Sequence, residues 1–319
     1  MKKLTLAYFG SPDFSALFLE KILTDEELKK MVEVKLVVTQ PNRPVGRKQI
    51  LTETPVKKVA KKYQISNIKY QIDIRNLKLE IRNFDLALIY AFSHIIPKDL
   101  LSAPKLGFWN IHPSLLPKYR GPSPIAYPLI FGEKETGVTI IKMDEKIDHG
   151  PIIAQEKLKI ENTDRRPDLE KKLTDLGFNL FKKTVFNKDS LYREHYKKQN
   201  HKVATYSRLL KKQDGFIPLS TLKKALKNEP LKFEEIPPIL KEIRNWKLEI
   251  RNSSKIIYNY FRGLSPWPGI WTLLPNGKRL KIIDMDFEVT SYKLQVTRVQ
   301  LEGKKEVDFE TFNQAYQVF

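Results

Sequence analysis

The stretch from Leu4 to Thr39 alternates in a way few folds accommodate. Leu4 to Phe9 and Val34 to Thr39 are short, nearly continuous apolar runs, the pattern of strands buried on both faces. Between them Phe14, Leu17, Phe18, Ile22 and Leu23 recur at helical spacing. Strand, helix, strand in this order predicts a parallel pair joined by a right-handed crossover. Asp85 to Ala91 and Gly107 to His112 supply two more apolar strands, which extends the reading to a doubly wound, Rossmann-like α/β domain. Ligands of such sheets sit beyond the carboxyl ends of the strands. The first turn, Gly10-Ser-Pro-Asp, lacks the G-x-G-x-x-G spacing a dinucleotide needs, and no G-x-x-x-x-G-K-[ST] loop occurs.

A helical pattern from Arg166 to Val185 closes this domain, which is expected to span residues 1–188. Residues 189–207 are polar and basic with little periodicity, and they read as a linker. Beyond it, Gly269 to Leu274, Leu280 to Asp284 and Leu294 to Leu301 are short β-like segments broken by turns such as Pro275-Asn-Gly. Short strands punctuated in this way predict a small OB-like β-barrel within residues 208–319. Ile74 to Asn83 recurs as Ile243 to Asn252 with Trp246 in place of Leu77. Its two copies fall in unlike domains, so the pair is no solenoid repeat and is expected to be an exposed insert without catalytic meaning.

The candidate chemistry lies at strand ends. Asn110 and His112, two residues apart, would point to one face of a strand. Pro113, Pro117, Gly121, Pro122 and Pro124 then forbid further regular structure, so a stiff loop follows at once. Asp148 lies in Lys-Ile-Asp-His-Gly-Pro, after the β-like run Gly137 to Met143. An amide donor, an imidazole and a carboxylate suit acyl transfer to an amine, where a tetrahedral oxyanion must be stabilised. Each has a plainer role, His112 as a structural histidine and Asn110 or Asp148 as turn residues. The chain has no cysteine, which excludes thiol catalysis and disulfides. His112, Asp148 and His149 lack the spacing of a zinc site, so no metal is expected. Ser114 lacks the G-x-S-x-G elbow of a serine nucleophile.

Charge bears on the partner. The chain carries 57 Lys and Arg against 37 Asp and Glu, a net charge of +20. Seven basic residues and one acidic residue fall between Arg193 and Lys212. Such a surface attracts polyanions, although a generally lysine-rich composition would look the same. No run of 18 apolar residues suggests a membrane span, and the apolar stretch after Met1-Lys-Lys breaks too early, at Gly10-Ser-Pro-Asp, for a signal peptide. A cytoplasmic location is expected.

The segment Asn110-Ile-His-Pro-Ser-Leu-Leu-Pro-Lys-Tyr-Arg-Gly, with the later Ile147-Asp-His-Gly, closely resembles the folate-dependent formyltransferases. Thr39-Gln-Pro-Asn-Arg-Pro-Val-Gly-Arg, Ala204-Thr-Tyr and Leu264-Ser-Pro-Trp-Pro-Gly resemble motifs of the methionyl-tRNA formyltransferases within that family. The resemblance implies 10-formyltetrahydrofolate as formyl donor and initiator methionyl-tRNA as acceptor, with the chain acting as a monomer. It places Asn110, His112 and Asp148 in the catalytic centre. Ser114, Leu115, Leu116 and Pro117 fall on the folate-contacting stretch, and Arg43, Arg47 and Lys48 on the loop that meets the tRNA acceptor stem. Three places depart from the family pattern: Asn42 stands where Asp is common, Ser93-His94 follows Ala91-Phe92 where Gly is usual, and Pro113 stands where a small residue often follows the His. Two other readings remain open: a formyltransferase for a nucleotide amino sugar, and an RNA-binding protein that has kept the fold without the activity.

Overall fold

The computed structural model describes residues 2–46, 48–70, 76–187, 191, 196–242 and 252–319. The chain divides into two compact units. The first comprises the residues up to Pro124 together with Thr136–Lys159 and Glu170–Ser207; the second comprises Ile125–Glu135, Ile160–Leu169 and Arg208–Phe319.

The first unit is built on a seven-stranded sheet. Its strands, in a chain order that also counts one separate hairpin, are β1 (Leu4–Phe9), β2 (Val32–Thr39), β3 (Arg43–Val45), β4 (Ile50–Thr52), β5 (Ile68–Tyr70), β6 (Leu86–Ile89), β7 (Phe108–His112), β8 (Glu135–Lys142) and β9 (Ile152–Lys159). Their spatial order is β5-β2-β1-β6-β7-β8-β9, with β3 and β4 forming the hairpin. β1 pairs in parallel with β2 and β6, and β6 with β7, whereas β8 runs antiparallel to β7. The expected strands are therefore present, with ends displaced by one or two residues. Asp85 stands just before β6: its main-chain N still donates to the Thr5 carbonyl at 3.0 Å, and its carboxylate accepts from Thr5 N and Oγ1, each at 2.8 Å.

Helix Asp13–Thr24 lies where the periodicity predicts it. Its Phe18 is fully buried, with ring centroids 5.1 Å from Tyr90, 6.1 Å from Phe178 and 6.2 Å from Phe181. Burial of one such ring stabilises by about 1.5–3 kcal/mol. Phe178 and Phe181 belong to helix Arg166–Phe186, which ends one residue beyond its expected limit. The strand order reverses between β1 and β6, and Gly10 follows β1 at that point. A Cβ on Gly10 would overlap Ser15 Oγ and crowd the Tyr90 carbonyl. The glycine thus serves close backbone approach at the switch point.

Hairpin β3–β4 projects three exposed apolar residues, Val45, Ile50 and Leu51, beside Arg43 and Lys48. Arg47 lies outside the described residues. The hairpin is tied at its root by Lys57, whose Nζ donates to Asn42 Oδ1 at 3.1 Å and pairs with Glu53 Oε1 at 3.0 Å. Lys57 is fixed in turn by its helix, Pro55–Lys62, where Thr54 caps the N-terminus by accepting from Lys57 N at 3.1 Å.

The repeated decapeptide departs from expectation. In the first copy Leu77 and Ile81 are buried in a cluster with Phe84, Ile96 and Leu100, so that copy is not simply exposed. Leu77 stands at the N-cap of the helical turn Lys78–Ile81, and Ile81 N donates to its carbonyl at 2.8 Å, so the two apolar positions, four apart, share one face. Of the second copy only Asn252 lies among the described residues, and it caps helix Ser253–Leu264 by accepting from Lys255 N at 3.0 Å.

Where the short strands predict a small OB-like barrel, the second unit carries a four-stranded antiparallel sheet. Its strands β10 (Ile270–Leu273), β11 (Arg279–Glu288), β12 (Lys293–Leu301) and β13 (Glu306–Asp308) form a meander in sequence order. A parallel bridge from Phe216 to Trp271 extends the β10 edge. Strand β11 runs past its expected end at Asp284 because register shifts around Asp284 let pairing with β12 resume. Helix Ser253–Leu264 supplies Ile257, Tyr260, Phe261 and Leu264 to the core, all at most 1% exposed. Arg262 on the same helix donates to the carbonyls of Glu161 and Asp164, each at 3.0 Å, which secures that irregular segment. No helix among the described residues is long and apolar enough to cross a membrane.

Candidate active site

Strand β7 ends at His112, one strand away from the switch point, with its carboxyl end facing the region where such sheets bind ligands. The period of two places Asn110 and His112 on the same face. Asp148 comes from the turn between β8 and β9 and sits in the left-handed region, φ +48°, a conformation aspartate tolerates better than most residues. Asn110 Nδ2 donates to Asp148 Oδ1 at 3.0 Å, and Gly121 N donates to Asp148 Oδ2 at 2.7 Å. The three residues singled out from the sequence therefore meet.

His112 is 4% exposed and uses both ring nitrogens. Nε2 lies 3.1 Å from the Tyr119 carbonyl oxygen, and Nδ1 lies 3.5 Å from Asp148 Oδ1. A carbonyl can only accept, so Nε2 carries a proton. Nδ1 is then the nitrogen left on the Asp148 side, where a second ring proton would meet a carboxylate. The Asn110 amide has two N–H groups, of which Asp148 takes one. With a second proton on Nδ1 the ring joins the Asn110 amide as a directed donor beside one carboxylate; without it, Nδ1 can only accept. Such an arrangement can hold an oxyanion and collect a proton.

The loop after β7 folds back on itself. Ser114 is fully buried and donates its hydroxyl to the Lys118 carbonyl at 2.6 Å. Leu116 is also buried, with its amide donating to Thr139 Oγ1 at 3.1 Å and its carbonyl accepting from Gln155 Nε2 at 3.0 Å. Leu115 and Pro117 are half-buried and form the accessible edge. Opposite Leu115 stands Gly137, where a Cβ would collide with the Leu115 side chain and the Glu156 carbonyl. Arg43 and Lys48 are exposed on the hairpin, and among the described residues no hydrogen bond or ion pair joins them to the three central residues.

Two residues escaped the sequence reading. Arg120, 1% exposed, donates through one terminal nitrogen to Gln199 Oε1 at 2.7 Å and His201 Nδ1 at 2.8 Å. Gln199, 5% exposed, donates to the carbonyls of Asp148 at 2.9 Å and Gly150 at 2.7 Å. From Lys197 to Ser207 the stretch read as a linker is laced into the site: Arg120 N donates to the Thr205 carbonyl at 2.9 Å, Ser207 N to the Arg120 carbonyl at 2.7 Å, and Ile152 N to the Lys197 carbonyl at 2.7 Å. Gly121, at φ +101°, admits this close approach, since a Cβ there would crowd the Ser207 carbonyl. His201 also stacks on His149, centroids 3.9 Å apart and planes 5° from parallel, and His149 Nδ1 lies 2.6 Å from Asp144 Oδ2. Partial desolvation, then the charges of His149 and Arg120, hold His201 below the ordinary histidine value. That shift favours the neutral ring, whose Nδ1 can accept from Arg120.

Residues 2–185 match the family model described as formyl transferase, and residues 245–295 match its C-terminal domain. The methionyl-tRNA formyltransferase of Caldicellulosiruptor saccharolyticus is 36% identical over 286 residues, covering 88% of this chain and 79% of that protein. The enzyme of the same name from Staphylococcus epidermidis is 37% identical over 287 residues, covering 87% and 78%. Among solved structures, a 4-N formyltransferase from Francisella tularensis superposes with a TM-score of 0.57 at 20% identity, covering 86% of this chain and 95% of that one. A sugar N-formyltransferase from Shewanella gives 0.56 at 16% identity, covering 88% and 96%. At these identities the two structures speak for the fold alone. With both family models matched in order and relatives above one-third identity along most of its length, the chain belongs to the formyl transferase family, and within it to the methionyl-tRNA formyltransferases.

Proposed function

We propose that the protein transfers the formyl group of 10-formyltetrahydrofolate to the amino group of initiator methionyl-tRNA, giving N-formylmethionyl-tRNA and tetrahydrofolate. The observation that carries this reading is the meeting of Asn110, His112 and Asp148 at the end of β7, in a chain of that family. The methionine amine attacks the formyl carbon, and the carbonyl oxygen becomes an oxyanion. The free N–H of Asn110 and the Nδ1–H of His112 in its doubly protonated form stabilise it. Asp148 takes the proton the amine loses, directly or through water. The bond from the formyl carbon to N10 of the folate then breaks, and N10 gains a proton as it leaves. Removing one donor to such an oxyanion raises the barrier by about 3–4 kcal/mol.

Leu115 and Pro117 form the edge against which the folate lies, while buried Ser114 and Leu116 brace that edge from within. Arg43, Arg47 and Lys48 contact the acceptor stem, where guanidinium groups suit phosphates and base edges. The test uses the full chain with 10-formyltetrahydrofolate and three acceptors: initiator methionyl-tRNA, elongator methionyl-tRNA and a nucleotide-linked amino sugar. Formylation of the initiator tRNA is expected. Formylation of the sugar alone would overturn the reading.

A further inference from the structure

We propose that Gln199 is a positioning residue for Asp148, acting through the main chain, and that Arg120 holds Gln199 in its working orientation. This rests on the catalytic role given to Asp148 above. Asp148 is fixed at its carboxylate by Asn110 and Gly121. Those two bonds leave the left-handed backbone of the Asp148 turn unsupported. Gln199 supplies the support, since one side-chain nitrogen donates to the carbonyls on both sides of His149, those of Asp148 and Gly150. The opposite amide orientation would turn an oxygen toward two carbonyls and an NH2 toward the Arg120 guanidinium, so the surroundings allow only one.

The identity of residue 199 is informative for a further reason. Arg120 is buried, and no carboxylate pairs with it among the described residues; its Nε finds no partner. Burying a guanidinium among neutral acceptors is costly. A glutamate at 199 would relieve that cost with an ion pair of nearly the same shape. It could not donate to the two carbonyls. The chain thus carries the residue type that serves the Asp148 turn, where another would serve Arg120 better. Arg120 also donates to the Tyr206 hydroxyl at 3.3 Å and to His201, which stacks on His149, so the same network also grips the residue next to Asp148.

The discriminating variant is Gln199→Glu in the full-length protein. Its carboxylate still accepts from Arg120 as an ion pair, while its second oxygen faces the two carbonyls, so the melting temperature is expected to stay closer to that of the wild type than in Gln199→Ala. With the two donated bonds lost, kcat for formyl transfer is expected to fall on the order of ten- to hundredfold, the cost of a misplaced catalytic group. The KM values for both substrates should change by less than about threefold, because no substrate-contacting group is altered. Gln199→Ala should lose both stability and kcat. A crystal structure of Gln199→Glu should show the Asp148 carboxylate out of hydrogen-bonding reach of Asn110 or Gly121. Wild-type kcat in Gln199→Glu would mean that Gln199 merely bolts the 197–207 segment down, and the inference would fall. If the wild-type protein formylates no methionyl-tRNA, the function reading fails instead. The crystal structure then decides the positioning role by itself, and an unmoved Asp148 overturns it.

Discussion

Asn110 divides one amide group between two tasks. One N–H fixes the carboxylate of Asp148, and the other is free for a developing oxyanion. Asn110→Ala is therefore expected to lower kcat by about 10²–10³-fold. The lost hydrogen bond should cost only about 0.5–1.5 kcal/mol of stability. Single-turnover formyl transfer and thermal melting check the two halves, and a kcat loss explained by unfolding would refute the assignment. Asn110, His112 and Asp148 were legible because each stands where an apolar run gives way to a loop of prolines or glycine. Gln199 was not, for its meaning depends on Arg120, 79 residues earlier, and on carbonyls 49 and 51 residues earlier. No local pattern records a bond to a main-chain oxygen.

Among the elements, the β3–β4 hairpin depends on its root. Lys57 joins the residue before the hairpin to the residue after it and is only 9% exposed. Asn42 brings no charge to that contact, so Glu53 supplies the carboxylate. Lys57→Met keeps the apolar stem and removes both ties. The KM for methionyl-tRNA is expected to rise about five- to tenfold, equivalent to roughly 1 kcal/mol of lost pre-organisation. The KM for 10-formyltetrahydrofolate should hold steady, and an equal rise in both would count against a tRNA role for the hairpin. Strand and helix cores were predictable from periodicity, because burial on both faces leaves little choice of residue. Their ends were less so: β6 starts only at Leu86 although Asp85 N still donates to the Thr5 carbonyl, and β11 resumes pairing beyond an irregularity. The decapeptide misled for a related reason. Repetition suggested an insert without packing, yet Leu77 and Ile81 use the helical spacing within it to reach the core.

At the scale of the whole molecule, the net charge of +20 sets how the two substrates are met. Each phosphate neutralised on tRNA releases counterions, whereas the edge proposed for folate, Leu115 and Pro117, is apolar. With about five phosphate contacts, tRNA affinity should fall on the order of a hundredfold or more between 50 and 200 mM salt. Folate affinity should change little. Parallel titrations of the two KM values against salt test this, and equal slopes would dissociate the charge from tRNA binding. Charge could be counted from the sequence; the path of residues 197–207 could not, since a polar, aperiodic stretch looks the same whether it is tethered or free. That path gives the molecule a timetable. Chains grow from the N-terminus, so Asn110, His112 and Asp148 are all synthesised before Gln199. On the proposed assignment, a nascent chain that has reached residue 188 holds Asn110, His112 and Asp148 yet lacks the Gln199 amide that sets one of them. Catalytic competence therefore arrives late, after the segment that completes the site has left the ribosome.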